Sequence, residues 1–120
     1  MIPQGKENLK IDLVDSSSGA RIYKLDGVLT IRTLYEFQDL ARRETNSVIV
    51  DLANVPYMDS AGLGSVIGLF TSCQRNNRNF GLVNIPPRIL TLLQVSHVDS
   101  LLPTFASVEA AEAAFVKSKS

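Results

Sequence analysis

The six residues SVIVDL, Ser47 to Leu52, constrain this chain more than any other stretch. Apolar, mostly β-branched side chains occupy consecutive positions. In an extended strand, neighbouring side chains point to opposite faces, so neither face of this one suits solvent. The run therefore predicts a central strand covered on both sides, and the rest of the chain has to supply the covering layers. Which helices lie on which face is left open by the pattern.

The flanking segments supply candidates for those layers. LKIDLV (9–14) alternates apolar and polar residues, DSSSG (15–19) is dense in turn formers, and ARIYKLDG resumes the alternation through Ile22, Tyr23 and Leu25. This predicts an antiparallel hairpin with Ser16, Ser17 and Ser18 in a solvated turn. Gly27 breaks the second strand, and Thr30 is suited to cap a helix over about 31–44 with Leu34, Phe37 and Ala41 on one face. Beyond the central run, a loop with Pro56 leads to YMDSAGLGSVIGLF (57–70), where Leu63, Val66, Ile67 and Phe70 recur at helical spacing. RNNRN (75–79) ends that helix, FGLVNI is the next strand, and Pro86-Pro87 opens a helix with Ile89, Leu92 and Leu93 inward. LLPTF reads as a short edge strand or extended loop. Ser107 then caps a last helix with Val108, Ala111 and Phe115 buried.

A hairpin followed by alternating helices and strands predicts an α/β fold: a mixed sheet with parallel central strands, right-handed crossovers and about four helices. A chain of 120 residues suits one domain, which is expected over 8–116, with flexible ends at 1–7 and 117–120. The twelve basic and twelve acidic side chains cancel and form no run of like charge, so nucleic acid, which favours a basic face, is not an expected partner. The lone Cys73 cannot form an internal disulfide and reads as a core residue on a helix, which fits a reducing cytosol. The opening MIPQGKENLK lacks the apolar core of a signal peptide, and no apolar run approaches membrane-spanning length. A cytoplasmic protein without direct membrane insertion is the expectation.

The chemistry concentrates where the glycine-laced helix begins. Asp59 is suited to N-cap it, leaving Ser60 in the first turn, among unpaired N–H groups and at the positive end of the helix dipole. An anion there is stabilised by about 0.3–1 kcal/mol when exposed and up to about 2 when partly buried. The fold should therefore tolerate a phosphate on Ser60. A partner surface would tolerate it less. An acidic group about 4 Å away repels each unit of added charge by roughly 1 kcal/mol in water and about 4 at an effective dielectric near 20. Since about 1.4 kcal/mol is tenfold in affinity, one phosphate can release a micromolar complex. Gly64 and Gly68 share a helix face and admit another backbone, or else pack on the sheet. Gly62, beside the serine, reads as clearing space for a partner or a kinase.

Competing chemistries fit less well. A nucleophile elbow needs glycine two residues before the serine, where Met58 stands. The single histidine, His97, reads as a surface or half-buried helix end. GLGSVIG has the spacing G-x-G-x-x-x-G and lies beyond a loop from its strand, so the dinucleotide-cradling turn is missing. No His/Cys cluster suggests a metal, and no cofactor is expected.

The block VIVDLANVPYMDSAGLGSVIGLF resembles the signature of STAS domains, most closely that of the stand-alone anti-sigma factor antagonists: an apolar strand ending in Asp, a short loop, Met-Asp-Ser, a small residue, then Gly-Leu-Gly. The resemblance extends to LDGVL (25–29), to FGLVNIPPRILTLLQVSHVD and to the closing helix after LLPTF. It implies a mixed sheet flanked by helices, and a protein that is itself no enzyme. Unmodified, it would bind an anti-sigma factor that is also a serine kinase, and so free a sigma factor. That kinase would phosphorylate Ser60 and end the complex, and a PP2C-type phosphatase would restore it. Many antagonists carry an Asp after the G-x-L matched here by Gly27-Val28-Leu29, close in space to the phosphoacceptor. This chain has Thr30, which brings no charge. The docking face is expected at Thr30, Met58, Asp59, Ser60, Ala61, Gly62, Leu63 and Gly64. The alternatives are an unphosphorylated STAS subunit of a transporter or stress-sensing assembly, and a small-nucleotide or lipid-binding domain.

Overall fold

In the computed structural model, which describes residues 8–118, the chain runs β1 (Leu9–Asp15), β2 (Arg21–Gly27), α1 (Leu34–Arg43), β3 (Val48–Asn54), α2 (Ser60–Arg75), β4 (Phe80–Val83), α3 (Pro87–Val95), β5 (Thr104–Phe105) and α4 (Val108–Ser118). The strands lie in the sheet in chain order. β1 is antiparallel to β2, and each later strand is parallel to its predecessor. In a sheet that grows in one direction, crossovers of one hand all pass over the same face. The core divides accordingly. Phe37, Val66, Leu69 and Ile89 from α1, α2 and α3 join Tyr23, Val50 and Leu82 of the sheet in the larger cluster. α4, which follows the last strand, packs Ala111 and Phe115 over Ile22, Ile49 and Val83 on the other face.

This arrangement explains the central run. Val48, Val50 and Leu52 belong to the three-helix side and Ile49 to the α4 side, and all four are 0% exposed. The α4 side is apolar only over part of the sheet. In the hairpin, Lys10 stands opposite Asp26 and Asp12 opposite Lys24, on the same face as Ile22. Opposed charges on facing strands suit a solvated surface, and that half of the face carries no helix.

Local chemistry sets the element ends. Ser107 Oγ accepts the Ala110 N–H at 3.1 Å and caps α4, while Pro87 occupies the first turn of α3. The start of α1 differs from the sequence expectation. Residues 31–33 form a turn and the helix begins at Leu34 with Thr33 as N-cap. Thr33 Oγ1 donates to the Val28 carbonyl at 2.7 Å and accepts the Thr30 N–H at 2.9 Å, so it ties down the loop rather than the helix end. Thr30 closes this turn by accepting the Thr33 and Leu34 N–H groups on its carbonyl. α4 runs through Ser118, so residues 117 and 118 lie in its last turn. The expectations for 1–7 and 119–120 fall outside the described residues. Among the described residues, no helix is long and apolar enough to cross a membrane.

Candidate functional site

Two loops meet at the carboxyl ends of β2 and β3, where an open α/β sheet commonly places its sites. They run side by side through a parallel bridge between Leu29 and Met58. The Leu29 N–H donates to the Tyr57 carbonyl at 3.1 Å, and the Asp59 N–H to the Leu29 carbonyl at 3.3 Å. Asp59 adopts an extended conformation and N-caps α2, its Oδ1 accepting the Gly62 N–H at 2.8 Å. Its Oδ2 accepts the Ile31 N–H at 3.1 Å. One carboxylate thus holds the helix start and the neighbouring loop in a fixed relation. Ser60, the first residue of α2, is exposed beside it.

The expected docking face divides in two. Ser60 and Gly64 are exposed, and Asp59 and Ala61 half-buried. Thr30, Met58, Gly62 and Leu63 are buried, Thr30 to 3% exposure and both Met58 and Leu63 to 5%. Thr30, Met58 and Leu63 therefore present little side-chain surface in the free chain. The Thr30 hydroxyl accepts the Arg32 N–H at 3.2 Å within its own turn. Gly62 clears space for Leu29 of the same chain, not for a partner: a Cβ there would collide with the Leu29 carbonyl. Gly64 and Gly68 would accept a Cβ without contact, and they line a cavity of about 300 Å³ between α1 and α2 with Gln38, Ala41 and Arg42.

Sequence reasoning missed exposed apolar residues on the loop tied to Asp59 and on the helix that follows it. Ile31 is 54% exposed and Tyr35, in the first turn of α1, 65%. On the other side a cavity of about 380 Å³ is lined by Tyr57, Ser60, Arg88, Leu92 and Val95, with Val95 71% exposed. The signal for Tyr35 was present, since it falls out of phase with the Leu34–Phe37–Ala41 stripe; Ile31 keeps i, i+3 spacing to Leu34 but lies in the turn before the helix.

The remaining candidates are placed elsewhere. His97 is exposed just beyond α3 in a left-handed conformation (φ 61°). Cys73 is buried, and burial pushes its thiol pKa up, which disfavours the reactive thiolate. Among the described residues, no group of three His, Cys, Asp or Glu side chains is placed to hold a metal ion.

Comparison with known proteins agrees with the fold and locates its relatives. The STAS domain family model matches residues 13–111. An anti-sigma-B factor antagonist of Staphylococcus epidermidis is 31% identical over 99 residues, covering 79% of this chain and 91% of that protein. Among solved structures, a putative anti-sigma factor antagonist from Thermotoga maritima superposes with a TM-score of 0.81 at 16% identity, over 88% of this chain and 94% of that one. The Bacillus cell fate determinant SpoIIAA in its phosphorylated form gives a TM-score of 0.68 at 17% identity, over 88% and 99%. At those identities the structural matches speak for the fold.

Proposed function

The chain belongs to the STAS domain family, and from that premise we propose that it is an anti-sigma factor antagonist switched by phosphorylation of Ser60. The observation that carries this reading is an exposed serine at the first position of α2, next to a cap made by Asp59. Because Ser60 plays no part in the cap, modifying it leaves the helix start intact. The chain supplies an acceptor and a docking surface, while catalysis belongs to its partners.

In the unmodified state the anti-sigma factor docks on the exposed residues around Ser60, with Ile31 and Tyr35 as apolar anchors and Gly64 allowing close approach. That partner is also the kinase. Ser60 Oγ attacks the γ-phosphorus of its ATP, ADP departs, and the hydroxyl proton passes to a base of the kinase. The phosphate adds about −1.5 to −2 charges and its bulk at the centre of the apolar face. Desolvating that charge at the interface disfavours the complex. A PP2C-type phosphatase transfers the phosphoryl group to water and regenerates the hydroxyl.

Incubation with the native kinase and ATP, followed by mass spectrometry, should place one phosphate on Ser60 and none on Ser60→Ala. Phosphorylation should also lower affinity for the anti-sigma factor at least tenfold. A phosphate found only in the turn at Ser16–Ser18 defeats the assignment. Full affinity after complete Ser60 phosphorylation reduces the chain to an unregulated STAS interaction subunit.

A further inference from the structure

We propose that Arg88 is the internal counter-cation of phosphorylated Ser60, so that modification also closes the cavity between the start of α2 and α3; this rests on the phosphorylation proposed above. Ser60 and Arg88 line the same cavity of about 380 Å³. Arg88 is the second residue of α3, it is exposed, and among the described residues it has no ion-pair partner. The charged or titratable groups of the lining are Tyr57, Asp59 and Arg88, the other walls being Met58, Ile89, Thr91, Leu92 and Val95. Asp59, the one anion, has both carboxylate oxygens engaged by backbone N–H groups, of Gly62 at 2.8 Å and Ile31 at 3.1 Å. In the unmodified protein, then, the cavity holds a cation that makes no ion pair, one carboxylate already bonded to backbone N–H groups, and an exposed serine.

A phosphoryl group on Ser60 supplies the missing anion. Guanidinium presents a planar fork of N–H donors that matches two phosphate oxygens, and the long side chain can follow the phosphate across the cavity. The ion pair spans the mouth between α2 and α3 and lies over Leu92 and Val95. Phosphorylation thereby removes an apolar recess from the docking surface in addition to charging its centre. Unmodified, the same arginine stands ready for a carboxylate of the anti-sigma factor, so the phosphate competes with the partner for one cation.

The test avoids the kinase by incorporating phosphoserine at position 60 during translation into the full chain, in wild type, Arg88→Gln and Arg88→Lys. The 31P resonance is titrated over the second phosphate ionisation, and the Arg88 side-chain N–H signal is followed with and without the phosphate. Arg88 stabilises the dianion, so the ionisation should fall lower in wild type than in Arg88→Gln by about half a unit, the size of an exposed ion pair. Arg88→Lys should lie between, and the Arg88 signal should shift on phosphorylation. Superimposable titrations together with an unmoved Arg88 signal overturn the proposal. The wild-type signal decides the question even if a variant folds poorly. A phosphoprotein that shows the ion pair yet keeps its anti-sigma partner refutes the regulatory reading alone.

Discussion

Asp59 Oδ2 accepts the N–H of Ile31, 28 positions away in the chain, at 3.1 Å. The other oxygen of the same carboxylate caps α2 through Gly62 at 2.8 Å. The acidic residue of the signature is therefore a clamp that fixes the serine relative to the loop bearing Ile31. Losing an N-cap costs about 0.5–2 kcal/mol, and a hydrogen bond to a charged group contributes about 1.5–3. Asp59→Ala should thus lose roughly 2–3 kcal/mol in urea unfolding. Asp59→Asn, which keeps one carbonyl acceptor, should lose about half as much. Amide exchange at Ile31 should accelerate in both variants, and unchanged protection there would show that the loop is held by other means.

The three glycines of α2 separate cleanly in this structure. Gly62 faces the Leu29 carbonyl, whereas Gly64 and Gly68 face open space. Gly62→Ala should destabilise by about 1–3 kcal/mol, the usual range for overpacking, because the obstructing atom is backbone and cannot rotate away. Gly68→Ala should instead stabilise by up to about 1 kcal/mol, the helix-propensity gain at an exposed position. Thermal unfolding of the two variants side by side checks the opposite signs.

Those glycines mark the boundary of what the sequence discloses. The core was legible because burial on both faces of β3 demands apolar residues at consecutive positions, and because Leu63, Val66 and Phe70 repeat at the helical period. Gly62 and Gly64 look alike in sequence, since what separates them is a carbonyl brought in by another loop. Thr30 and Thr33 are equally good caps by residue type, and only the fold shows Thr30 buried and Thr33 bonded to the Val28 carbonyl. Arg88 carries no local signal either. Its relation to Ser60 exists only once α3 has folded back beside α2.

A third test concerns the opposite end of the sheet. Tyr23 Oη donates to Glu44 Oε1 at 2.7 Å, and burial, reinforced by that hydrogen bond, raises the phenol pKa well above its usual value of about 10. The neutral form is the one the fold prefers. The stability it contributes is fully present below about pH 10 and is lost as pH rises beyond it, where the unfolded phenol ionises and the folded one does not. Wild type should therefore be more stable than Tyr23→Phe by about 1 kcal/mol at pH 8. That advantage should shrink above about pH 10 by up to about 1.4 kcal/mol per pH unit. Urea midpoints at pH 8, 9, 10 and 11 would read it, and a constant difference across the series contradicts the assignment.

The docking face itself separates from the buried residues once assigned to it. Tyr35 is 65% exposed and Ile31 54%, so truncating either to Ala should change stability by no more than about 0.5 kcal/mol. If they anchor the anti-sigma factor, each truncation should weaken binding by about 2 kcal/mol, roughly thirtyfold, as measured by calorimetry on unphosphorylated protein. Thr30→Val has the reverse profile. Thr30 is 3% exposed and its hydroxyl accepts the Arg32 N–H, so the substitution should cost about 1 kcal/mol of stability and leave intrinsic affinity near wild type. Wild-type affinity in Tyr35→Ala and Ile31→Ala, with a large loss in a still-folded Thr30→Val, would move the contact surface away from α1 and onto the loop turn.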